Sequence, residues 1–145
     1  MSGLFVAGYA SLFGVADLAG DVVSPGAFAG SLALLPPTRL RMLMQHDPSR
    51  LLGRWTAARE DTVGLWVEGL LDTASPEGLR AAALVGTGSL DGLSIGFRTL
   101  AAAPRLAGGR RLDRIDLREV SLVAFPMLPQ ARLRIAASPD SLLAA

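Results

Sequence analysis

The sequence predicts a mainly β domain: a small antiparallel β-barrel with two or three short helices at its periphery. Three observations carry that expectation. Apolar and aromatic runs of strand length recur between breaks rich in Gly and Pro. Ser24-Pro25-Gly26 and Ser75-Pro76-Glu77-Gly78 have the grammar of short helix starts. No regular strand–helix alternation signals a parallel α/β sheet. At 145 residues there is enough chain for one core and little for a second. Residues 1–136 are therefore read as one domain, with 137–145 as a weakly organised, mobile C-terminal tail.

Taken in order, residues 4–13 interleave aromatic and small side chains and read as the first strand, followed by a Gly- and Asp-containing loop over 14–20. Ser24 is the expected N-cap of a helix through Phe28, Leu32 and Leu35, stopped by Pro36-Pro37. Residues 40–46 form the next strand. A period of two would put Met42, Met44 and His46 on one face, with Asp47-Pro48 ending the run. Residues 51–60 and 63–72 read as a hairpin about Glu60-Asp61-Thr62, and 79–85 as a helix closed by Gly86 and Gly88. Residues 93–101 are a strand with Ser94, Gly96 and Arg98 on one face. Residues 112–125 are a long strand on which Glu119, Ser121 and Val123 share a face. Pro126 and Pro129 break it, and 131–135 add a short edge strand.

Composition narrows the chemistry. The chain has no Cys, so disulfides and thiol catalysis are excluded. All 14 basic residues are Arg and the net charge is +1, too balanced to argue for a nucleic-acid partner. Mean hydropathy is +0.40, yet no apolar run reaches membrane-spanning length, and the opening residues lack the basic and apolar regions of a secretory leader. A lone His with no Cys gives no metal-ligand spacing. A phosphate loop needs a Lys that the chain lacks, and Asp17 and Asp21 lack the alternation of a calcium loop. Neither metal nor cofactor is expected. Arg110, Arg111 and Arg114 read as a solvated hairpin end, and Trp55 and Trp66 as packing within the hairpin.

What remains is serine chemistry. Gly92-Leu93-Ser94-Ile95-Gly96 fits G-x-S-x-G, but the α/β-hydrolase order places a His after the Ser, and here His46 is the single His and precedes it. A hydroxyl needs a neighbouring base, and the base needs an orienting partner. Any such device in this chain runs through His46. Ser94 alone equally suits a small strand residue between glycines. Glu119 is costly to bury unless paired, and water or Arg98, Arg114 or Arg118 could satisfy it. Ser121 is a lesser candidate nucleophile, and Asp91 and Asp116 are rival third members.

The text Gly8-Tyr9-Ala10-Ser11-Leu12-Phe13, Gly20-Asp21-Val22-Val23 and Pro25-Gly26-Ala27-Phe28 leads into Met44-Gln45-His46-Asp47-Pro48 with Gly53-Arg54-Trp55. It continues through Gly64-Leu65-Trp66-Val67-Glu68-Gly69, Leu90-Asp91-Gly92-Leu93-Ser94-Ile95-Gly96-Phe97 and Leu117-Arg118-Glu119-Val120-Ser121-Leu122-Val123. On these segments the chain resembles the prohead (capsid maturation) serine proteases of tailed phages and phage-derived particles, HK97-like, over nearly its whole length. The resemblance implies a fold similar to herpesvirus assemblin, a small β-barrel with peripheral helices. It implies endopeptidase cleavage of the major capsid protein precursor, at an N-terminal scaffold segment, inside an immature capsid in the bacterial cytoplasm. It matches His46 to the base, Ser94 to the nucleophile and Glu119 to the acidic third member, with self-cleavage and self-association as further family habits. Membrane and nucleic acid are not among the implied partners. Two departures stand out. Members often carry a longer C-terminal part, so a compact version is expected. Arg132 and Arg134 also come too late to match the Arg pair that assemblins place near the oxyanion, which leaves its donors unassigned. The readings from other classes are a catalytically silent internal scaffold and a capsid-binding module.

Overall fold

The computed structural model describes residues 3–136, and the expected tail at 137–145 lies outside the described residues. Strand β1 (Gly3–Leu12) pairs antiparallel with β5 (Gly64–Asp72) and, on its other edge, with β8 (Leu133–Ala136). Strand β4 (Asp47–Glu60) and β5 form the predicted hairpin. Its turn closes because the Asp61 carboxylate accepts the N–H groups of Val63 and Gly64, at 2.7 and 3.0 Å. Helix α2 (Pro76–Gly86) starts as its grammar requires. Ser75 Oγ accepts the Gly78 N–H at 3.1 Å, Pro76 opens the first turn, and Ala81 and Val85 face the core.

Helix α1 (Ala29–Leu34) corrects the reading of Ser24. The chain at Ser24-Pro25-Gly26-Ala27 makes a tight turn, with the Ala27 N–H on Ser24 O at 3.1 Å and Gly26 at φ +89°. Pro followed by a left-handed Gly suits that turn better than a first helical turn. Ser24 Oγ instead donates to Asp113 at 3.0 Å, while the Glu60 carboxylate takes the Phe28 N–H at 2.8 Å, just ahead of the helix.

Strand β3 (Arg41–Met44) is also shorter than expected. Gln45 and His46 both have positive φ, 53° and 65°, and Met44 pairs directly with Asp47. They form a two-residue hairpin loop of the kind that needs two left-handed centres. Asp47-Pro48 thus opens β4 rather than ending β3, and His46 leaves the strand face that a period of two gave it.

The sheet runs β2 (Val22–Val23), β7 (Arg110–Val123), β3, β4, β5, β1, β8, with β6 (Gly92–Pro104) on the far edge of β7. β7 lies parallel to β2 and β3 and antiparallel to β6, so the sheet is mixed. The expected barrel is not closed. β8 and β6 meet only at a corner, through the bridge Gly92↔Arg132 and the bonds Leu93 N–H to Ala131 O (2.9 Å) and Leu133 N–H to Asp91 O (2.8 Å). β8 spans 4 residues and follows Pro126 and Pro129, which have no N–H to extend a ladder. The curled sheet wraps a core around Phe28, Met42, Leu52, Leu93, Leu117 and Leu122. There Trp55 is fully buried and its indole N–H reaches Val120 O at 3.2 Å.

Candidate active site

Strand β7 organises the site. It sits between β3, which delivers the Gln45–His46 loop, and β6, which carries Ser94. The β6–β7 register sets Ser94 opposite Ser121 and Gly96 opposite Glu119, so one face presents a hydroxyl, a second hydroxyl and a carboxylate. A Cβ added at Gly96 would run into the Glu119 carboxyl group. The glycine opposite therefore opens the room that the acid occupies.

The three residues singled out from remote segments meet. His46 Nδ1 bonds Glu119 Oε1, and His46 Nε2 lies 3.1 Å from Ser94 Oγ. An ionised carboxylate only accepts, so Nδ1 carries the proton and Nε2 presents its lone pair to the serine hydroxyl. Glu119 is 6 % exposed, and its second oxygen accepts the hydroxyl of fully buried Ser121. Ser121 Oγ in turn accepts the backbone N–H of His46 at 3.1 Å. The buried acid is thus paired on both oxygens, which answers the cost of burying it. Arg118 plays no part in that pairing, since it bonds Asp116 at 2.8 Å.

His46 is held in a backbone conformation that non-glycine residues seldom adopt, at a cost of about 1–3 kcal/mol per residue. Specific bonds fix the loop. The Gln45 N–H reaches Leu122 O at 2.9 Å, the Gln45 side-chain oxygen accepts the Ala124 N–H at 2.9 Å, and Ser121 holds the His46 N–H. The loop turns the imidazole over the end of β7. The hydrogen bond to Glu119 and its negative charge raise the imidazole pKa above the ordinary value, against a lowering from partial burial.

Other candidates are placed elsewhere. Asp91 pairs with Arg132 at 2.6 Å and Asp116 with Arg118, while the carboxylate that bonds the His46 ring is Glu119. Ser121 is fully buried, and its hydroxyl bonds Glu119 and the backbone of the histidine loop. Ser121, Gly96 and Gln45 are the residues whose roles the sequence hid. The faint signal was that Ser121 stands two positions from Glu119 on the same strand face. Asp21 pairs with Arg110 at 2.9 Å, and Asp17 Oδ1 accepts the N–H groups of Ala19 and Asp21, at 2.8 and 3.0 Å. Arg111 pairs with Asp113. Trp66 leaves the core reading. It stacks edge-on with Tyr9 and lies under the Arg134 guanidinium, 5.6 Å from the ring. Among the described residues no cluster of three or more His, Asp or Glu could hold a metal ion.

Two hollows meet at His46 and Ser94. One, of about 290 Å³, is bounded by His46 and Ser94 and by apolar side chains of β1, β6 and the loops after β1 and β7. The other, of about 420 Å³, is lined by His46 and Ser94 together with Leu18, Phe125 and Met127. Phe125 is 92 % exposed there.

Comparison with known proteins gives the same direction as the geometry. The family model described as caudovirus prohead serine protease matches residues 2–142. The prohead protease of Enterobacteria phage HK97 is 33% identical over 138 residues, covering 93% of this chain and 61% of that protein. The chain thus spans less than two thirds of that relative's length. Among solved structures, the Kaposi's sarcoma-associated herpesvirus protease bound to a hexapeptide phosphonate inhibitor aligns at TM-score 0.70 and 18% identity, over 99% of this chain and 69% of that one. The capsid assembly protease of bacteriophage T4 aligns at TM-score 0.70 and 12% identity, over 83% and 81%. At these identities the structural likeness speaks for the fold.

Proposed function

The chain belongs to the caudovirus prohead serine protease family, and from that premise we propose that it is a serine endopeptidase of capsid maturation, with Ser94, His46 and Glu119 as its triad. Its substrate is the major capsid protein precursor, cut at an N-terminal scaffold segment within the immature shell in the host cytoplasm. A second copy of the chain is a further substrate. Residues 1–136 constitute the protease domain.

The observation that carries the reading is the continuous line from Glu119 through the His46 ring to Ser94 Oγ. In the first step Ser94 Oγ attacks the peptide carbonyl carbon while Nε2 takes its proton. Glu119 accepts the Nδ1 hydrogen throughout and stabilises the imidazolium that forms. Backbone N–H groups of a neighbouring loop receive the oxyanion. The imidazolium then protonates the leaving amine, and a water activated by His46 frees the acyl group from Ser94. Neither metal nor cofactor enters.

Co-expression with the capsid precursor tests this directly. The wild-type chain is expected to shorten the precursor at its N-terminus, read by mass spectrometry of assembled shells. Ser94→Ala or His46→Ala should lower the cleavage rate on the order of 10⁴-fold or more. Full processing by Ser94→Ala would remove the nucleophile from this scheme. An intact N-terminus with the wild-type chain would leave a scaffold or binding role instead.

A further inference from the structure

The hollow of about 290 Å³ beside Ser94 has a definite chemistry. Its wall is apolar: Leu12, Val15, Leu93, Ile95, Phe97 and Leu128 line it, and His46 and Ser94 stand at its edge. Ile95, Phe97 and Leu128 are only partly buried against the core, and all three line this space. Two carboxylates, Asp17 and Asp21, also border it. Both are already engaged. Asp21 holds Arg110 through a 2.9 Å ion pair and accepts the Arg110 N–H, and Asp17 caps its own loop by taking two backbone N–H groups. A basic side chain entering here would compete with bonds that fix the loop, and an acidic one would meet negative charge and apolar wall.

We infer that this hollow is the specificity pocket of the enzyme and that it receives one bulky apolar side chain, leucine-, methionine- or phenylalanine-like, from the residue flanking the scissile bond. The inference rests on the endopeptidase reading above and names its substrate class. Its volume lies at the lower end of the range for ligand sites, which suits one large side chain rather than an extended ligand. Because the nucleophile borders the hollow, a side chain anchored there fixes the adjoining carbonyl over Ser94 Oγ, which is how remote binding contributes to rate. A single methylene in an apolar pocket discriminates by about 10- to 200-fold. Leucine carries three carbons more than alanine, so the ratio of kcat/KM for leucine over alanine at the anchored position should be about 100 or more.

The full chain is tested on quenched peptides of Gly and Ser carrying one variable residue, with cut sites located by mass spectrometry. A small fluorophosphonate, which reacts with a base-activated serine without needing the pocket, is run in parallel. Labelling at Ser94 together with cleavage next to Leu, Met or Phe, and about 100-fold less next to Ala, Asp or Arg, supports the inference. Labelling with equal or better cleavage beside Arg, Asp or Ala overturns it while leaving the serine chemistry intact. Absence of labelling overturns the endopeptidase reading and the pocket with it. Val15→Asp puts a charge into the wall from a loop position. It should shrink the Leu-to-Ala ratio at least 10-fold, and an unchanged ratio would move the specificity pocket elsewhere.

Discussion

Ser121 ties two parts of the site to one hydroxyl: it donates to Glu119 and accepts from the backbone of His46. Removing it leaves a buried carboxylate oxygen and the N–H of a strained loop with no partner, a loss of about 1–3 kcal/mol. Ser121→Ala should therefore lower the urea midpoint and reduce kcat more than it raises KM. A variant with lower stability but an unchanged kcat would make Ser121 purely structural. His46 sets the pH response. Its pKa is raised by Glu119, and the base must be neutral to act, so kcat/KM should fall as pH drops through a value above roughly 6.5. Glu119→Gln should lower the rate by about 10²- to 10⁴-fold and move that acid limb to lower pH. An acid limb that stays in place would uncouple the two residues. Stability follows the same linkage. A pKa raised by folding adds stability that is complete below the unfolded value near 6.5 and fades as pH climbs through the folded one.

At the scale of elements, the pairing of β6 with β7 makes Gly96 the residue to probe. Gly96→Ala would press a methyl group onto the Glu119 carboxyl, with an overpacking cost of about 1–3 kcal/mol. The expected outcome is a lower thermal midpoint and a displaced acid, seen as slower processing of the precursor. Wild-type values for both would mean that the strands part easily there. The elements also show what a linear reading can and cannot see. The β4–β5 hairpin and the Ser75 cap were legible because their signals are local: Asp61 closes its own turn and Ser75 caps its own helix. The turn at Gln45 and His46 was not, because neither is the Asn, Asp or Gly that marks a two-residue hairpin loop in sequence. Bonds from Leu122, Ala124 and Ser121, far along the chain, impose it. Ser24 misled for a related reason, since Ser-Pro-Gly serves a tight turn as readily as a helix start. The residues of the proposed triad stood out in the sequence as residue types. Their meeting depends on the parallel β3–β7 pairing, for which no local pattern exists.

For the whole molecule, the sheet is continuous everywhere except at the corner where β8 approaches β6. That corner rests on one bridge, two backbone bonds and the exposed Arg132–Asp91 pair, whose contribution in water is about 0–1 kcal/mol. Hydrogen exchange should find the N–H groups of Leu93 and Leu133 less protected than those in the β4–β5 ladder. Equal protection would mean that the sheet behaves as a sealed cylinder.

The place of β7 between its neighbours has a consequence for when the proposed triad can assemble. The His46 imidazole comes from one of its flanks, the Ser94 hydroxyl from the other, and the Glu119 carboxylate from β7 itself, which ends at Val123. Until that stretch has left the ribosome, the His46 ring and the Ser94 hydroxyl have nothing to align them. On the proposed reading, cutting is thereby withheld during synthesis by connectivity, until the late strand has slotted in among the early ones.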